Sequence, residues 1–189
     1  LLNFNTLIQE INKEVKTGKN VSLQIQTFQP GSYDIFCSLA GDAGIVSSLF
    51  NILSNDNLQF ASTIIGTLAD ILAIKEFLGG KKPISIENTN SDTITIKNKD
   101  GQVKVTSKKA GDIIFNNPTV NLTINNTFNT IQGIDQIQGF SIKDNKGKNK
   151  FTTTRENFEN LSSPNEILEE KTQVSKTITK YNVALSIFK

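Results

Sequence analysis

At 189 residues the chain is long enough for one ordinary domain or two small modules, and Lys+Arg 20 against Asp+Glu 18 leaves a net charge of +2. That balance is too even for a phosphate-binding surface or a polybasic membrane anchor to follow from composition. Histidine is absent and Cys37 is the single cysteine, which excludes histidine-dependent triads, imidazole general bases, metal sites built from histidine or from cysteine alone, and an intrachain disulfide framework.

The apolar share of 37% includes 12 Phe and falls in periodic runs, so a packed core is expected. Phe4, Leu7, Ile8, Ile11 and Val15 recur at helical spacing, with Glu10, Lys13 and Glu14 on the other side and Gly18 placed as a stop; this predicts an amphipathic first helix. Val21, Leu23 and Ile25 then alternate, as do Tyr33, Ile35, Cys37 and Leu39, around Pro30-Gly31. A two-residue loop would put the two apolar sets on opposite faces. A longer loop or a bulge pairs Ile25 with Cys37 and Leu23 with Leu39, and that register is the one expected.

From Gly44 to Leu78 two apolar segments, 45–53 and 58–78, predict a helical hairpin. Asp56 serves as N-cap and Gly79-Gly80 as stop of a second helix over about 57–78. Each uncharged stretch is shorter than the roughly 18 residues a spanning helix requires, and Asp70, Lys75 and Glu76 follow, which weighs against insertion in a membrane. Ser62, Gly66, Ala69 and Ala73 form a stripe of small residues on this helix, beside Ile64, Leu68 and Leu72. The stripe would let another helix come close, either within the chain or from a second copy. These seven residues are the candidate interaction site.

Lys81-Lys82-Pro83 marks the expected internal boundary, dividing the chain into 1–80 and 81–189. Beyond it Ile94 and Ile96 alternate before Asp100-Gly101, and Val103 and Val105 after it. A two-residue type I′ turn would pair Ile96 with Val105 and Asn98 with Val103, placing both apolar pairs on one face. Residues 116–131 fit a strand or a helix, and Asn117 as N-cap with Pro118 in the first turn favours helix. Ile137, Phe140 and Ile142 read as a strand and 143–150 as a turn. Thr153 with Glu156 reads as a capping box for a short helix carrying Phe158 and Leu161, and Ser163 with Glu166 repeats the device. Residues 172–188 read as a long extended stretch. The opening on Leu1, the absence of Met and the apolar alternation at the far end lead to the expectation that the chain is a piece of a longer one.

No glycine-rich phosphate loop or calcium loop is present. Asp34, Asp42, Asp70 and Asp112 sit among apolar or small residues, and two of them brought within about 4 to 6 Å by folding would make a carboxylate metal site; nothing in their spacing pairs them. Arg155 is the only arginine and the lysine clusters lack interleaved aromatics, which weighs against nucleic acid. No catalytic residue, metal ligand or cofactor is assigned.

The order of several short motifs resembles that of a group of uncharacterised bacterial proteins. These are KEFLGGKKP over 75–83, Asn116-Asn117-Pro118, Phe128, IQGFSI over 137–142 and SPNEIL over 163–168. The resemblance implies longer relatives and carries no activity to transfer.

The expectation is therefore an α+β fold of antiparallel hairpins with an amphipathic N-terminal helix and a central apolar helical hairpin. The expected role is that of a non-enzymatic interaction or scaffold protein of the cytoplasm, forming a homo-oligomer or docking a protein partner through the apolar helices. A membrane-active protein and a carboxylate-metal enzyme are the alternatives.

Overall fold

The computed structural model describes residues 2–18, 22–28, 35–40, 55–135, 137–143 and 148–164. The fold is α+β, with helices α1 (Leu2–Val15), α2 (Asn55–Leu78), α3 (Lys108–Asn116), α4 (Pro118–Gln132) and α5 (Phe158–Ser162). The strands are β1 (Ser22–Phe28), β2 (Ile35–Ala40), β3 (Ser85–Asn88), β4 (Thr93–Lys97), β5 (Val103–Ser107), β6 (Gly139–Lys143) and β7 (Asn149–Thr154). They form three antiparallel sheets, β1-β2, β3-β4-β5 and β6-β7.

α2 is the hub: α1, α3, α5, β5 and β7 all pack against it, and α4 lies across α1, α3 and α5. The apolar periodicity of the sequence accounts for this. Leu7, Ile8 and Ile11 of α1 turn inward, and Ile64, Leu68, Ile71, Leu72 and Ile74 of α2 are fully buried. Ile94 and Ile96 of β4, Ile113 and Ile114 of α3, Val120, Ile124 and Phe128 of α4, and Phe158 and Leu161 of α5 join the same cluster. Residues on both sides of Lys81 thus share one apolar interior. Phe128 meets Phe140 edge-on at 5.3 Å and Phe158 at 5.7 Å between ring centroids, an arrangement that suits the ring quadrupoles.

The expected register of the first hairpin is present: Leu23 pairs with Leu39 and Ile25 with Cys37, and the register shifts between Ile25 and Phe28. The helical reading of 116–131 also holds, with the Asn117 side chain accepting from the Val120 N–H at 3.0 Å and Pro118 in the first turn. α2 opens two residues before the expected start and ends where Gly79 and Gly80 take φ of +56° and +77°. The first arm of the expected helical hairpin, the second capping device at Ser163 and Glu166, and the extended stretch 172–188 lie in part or whole outside the described residues.

Two expectations are corrected. The second hairpin closes through three loop residues instead of two: the Gly101 N–H donates to the Asn98 carbonyl and the Asn98 N–H to the Gln102 carbonyl, each at 3.0 Å. Gly101, at φ +79°, occupies the left-handed position of this turn-plus-bulge connection. Pairing therefore moves by one residue, to Lys97 with Val103, Ile96 with Lys104 and Thr95 with Val105. Because side chains alternate with a period of two, this turns the valines to the face opposite Ile94 and Ile96. Val103 and Val105 are each 61% exposed.

The capping box at Thr153 does not form either. Thr153 lies inside β7, and its hydroxyl donates to Glu76 Oε1 on α2 at 2.5 Å. The turn that follows starts at Thr154 without a side-chain cap bond.

Candidate interaction surface

The seven residues singled out on α2 divide by the side of the helix they occupy. Ile64, Leu68 and Leu72 are 0% exposed and Ala69 4%, buried by contacts with other parts of this chain. As long as the fold holds, these four are core. Ser62 is exposed and Gly66 and Ala73 are partly exposed. Spacings of three and four residues place these three in a row with Asp70 and Phe77, which are also partly exposed.

Gly66 is the unusual member of this row. It stands inside a 24-residue helix, where glycine costs about 1 kcal/mol relative to alanine. A Cβ built on it meets nothing within 4 Å, so among the described residues no packing requires a glycine there. Gly111 on α3 is the contrast: its added Cβ would stand 2.3 Å from Ile94 Cδ1, so close packing accounts for that glycine.

Asp70 sits at the edge of the row. Burial raises its pKa above the ordinary carboxylate value, and the positive charge of Lys104 on β5 partly offsets that. The Lys104 ammonium lies 5.9 Å from the centre of the Phe77 ring, within the range of a cation–π contact. Asp70 is thus a half-buried acid beside a lysine, and Asp112 is exposed on α3. Asp34 and Asp42 lie outside the described residues. Among the described residues no group of three or more acidic or thiol side chains is placed to hold a metal ion.

A polar centre that the sequence reading passed over lies inside the protein. Lys75 is 2% exposed; its ammonium donates to the Ser163 carbonyl at 2.8 Å and to Asn121 Oδ1 at 3.3 Å. Asn121 in turn donates to the Ile114 carbonyl at 2.6 Å. This relay joins α2, α3, α4 and the end of α5. Burial lowers the Lys75 pKa to about 8. A lysine one turn from the end of an apolar helix reads as a solvated terminus, so the sequence held no signal for its burial beyond the neutrality of α4.

Arg155 is spent on structure. Its guanidinium donates to the carbonyls of Gln132, Ile134 and Ile137 at 2.8, 2.9 and 3.0 Å and to Asp135 Oδ1 at 3.1 Å. The planar fork of donors ties the α4–β6 connection to the end of β7. No helix among the described residues is long and apolar enough to cross a membrane. Compared with protein-family models, curated proteins and solved structures, the chain finds no match.

Proposed function

We propose that this chain is a non-enzymatic interaction protein that self-associates through the outer side of α2, along the row Ser62, Gly66 and Ala73. The carrying observation is Gly66, a helix-interior glycine with open space above it. In a monomer it is a cost without a return among the described residues. In a pair of helices it permits backbones to approach closely enough for dispersion contacts along the whole row. Ile65 and Phe77, partly exposed on the same side, supply apolar area at the margin, and Ile64, Leu68 and Leu72 support the helix from behind.

Light scattering coupled to size exclusion tests the reading. A mass of twice 20.8 kDa or a higher multiple is expected at micromolar concentration, falling with dilution. A mass of one chain at every concentration up to the solubility limit refutes self-association.

A further inference from the structure

The one-residue shift in the second hairpin assembles a surface at one end of the three-stranded sheet. Lys97 lies between Ser85 and Val103 in one row across β3, β4 and β5, and Val105 stands two residues along on the same face. Ile84 is tied to this row by its N–H, which donates to the Lys97 carbonyl at 2.8 Å. Ile84 is 59% exposed, close to the 61% of both valines. Lys81 and Lys82 precede it on the chain with Pro83 between, Lys99 stands at the hairpin tip, and all three, like Lys97, are exposed. Glu87 lies in one row with Thr95 and Val105 on this face and Asp100 at the hairpin tip, so four lysines stand against two carboxylates at this end. The hairpin is rigidly held, because Asn98, 4% exposed, accepts from the Asp100 and Gln102 N–H groups at 3.1 and 2.9 Å.

Exposed aliphatic side chains among lysines, on a rigid support, are a combination that a free phosphate or a nucleic-acid backbone uses only in part, since neither rewards the aliphatics. A bilayer with acidic headgroups uses both: lysines sit in its negative surface potential while short apolar side chains enter the headgroup boundary. We propose that this end of the sheet docks on an anionic lipid surface, with Lys81, Lys82, Lys97 and Lys99 facing the headgroups and Val103 and Val105 at the boundary. Contact is peripheral and reversible, and it uses a face separate from the outer side of α2.

Co-sedimentation of the full chain with vesicles of phosphatidylcholine alone, or with 30% phosphatidylglycerol added, measures it; the 30% is a choice of roughly physiological surface charge. Binding to the acidic vesicles only is expected. Lys81→Glu with Lys97→Glu should weaken it by on the order of twentyfold or more, at roughly fivefold per lysine removed. Val103→Ser with Val105→Ser should weaken it severalfold without changing net charge, and the remote Lys109→Glu should leave it within twofold. Circular dichroism of each variant separates loss of binding from loss of fold. Absence of binding to acidic vesicles at low salt overturns the proposal, as does equal loss in Lys109→Glu. Binding that resists the valine changes, and that duplex DNA abolishes in competition, assigns the surface to nucleic acid instead and equally overturns it.

Discussion

Lys97 stands opposite Val103 across β4 and β5, and this pairing decides which side of the sheet the valines occupy. Its origin is the buried Asn98, whose amide bonds the loop backbone, reaches the Phe77 carbonyl on α2 at 3.4 Å and meets Gln102 Oε1 at 2.9 Å. Asn98→Ala should cost about 1–3 kcal/mol in urea unfolding, because buried groups lose their partners. Gly101→Ala should cost about 1–2 kcal/mol, and through the backbone alone, since the added Cβ meets nothing within 4 Å. Gly101→Asn should recover most of that loss, asparagine being at home in the left-handed region.

The pH dependence of stability should carry the mark of Lys75. Its pKa falls from 10.5 in the unfolded chain to about 8 in the folded one, so between those values the unfolded chain binds more protons. Stability from this group therefore rises as pH increases from about 8 to 10.5, by a total of about 3 kcal/mol. Below pH 8 the contribution is flat. Denaturant melts of the wild type and Lys75→Met at intervals from pH 7 to 10.5 isolate it: the difference between the two proteins should change with pH over that window. A constant difference would show that Lys75 titrates normally.

Arg155 should not be replaceable by lysine. Three backbone carbonyls accept from its guanidinium, and an ammonium cannot span them with the same fork. Arg155→Lys should lower stability by about 1–3 kcal/mol and speed amide exchange in the α4–β6 connection. Asp135→Asn should change stability little, because its side chain is 95% exposed and such ion pairs contribute weakly. Equal effects of the two substitutions would mean that the ion pair, not the carbonyl contacts, holds the connection.

Gly111→Ala should destabilise by about 1–3 kcal/mol through overpacking against Ile94. The clash is with the terminal Cδ1 of that isoleucine, so Ile94→Val, which removes that atom, should suppress much of the loss. A double-mutant cycle in thermal unfolding reads the coupling; additive effects would place the strain elsewhere.

Strong periodicity made α1 and the strand around Phe140 legible in the sequence, a long apolar run closed by Gly79-Gly80 did the same for α2, and the pair of Asn117 and Pro118 settled α4. Three elements escaped, among them β7, whose first residues read as part of the lysine-rich turn and whose Thr153 reads as a helix cap. β3 has only four residues, with Ile86 its single apolar one, too few for alternation to register. α3 carries Gly111 at its centre, which reads as a breaker until Ile94 is seen pressing against it. The second hairpin departs from its local signal because Asp100-Gly101 favours a two-residue turn, while Asn98 favours a three-residue loop through contacts that reach α2. Periodicity marked α2 as apolar nearly all round, and only the fold shows which residues face inward: Leu68 and Leu72 do, and the outer row keeps Ser62, Gly66 and Ala73.

The central claim, self-association through that outer row, is tested most directly by comparing Gly66→Ala with Gly66→Leu. The helix itself should accept either side chain, and alanine should raise thermal stability by about 1 kcal/mol. Leucine should hold a partner helix away. Sedimentation velocity should therefore find the wild-type oligomer disrupted to single chains by Gly66→Leu, with the circular dichroism of the folded protein intact. An oligomer unchanged by leucine, or a wild type that is already a single chain, would contradict the account.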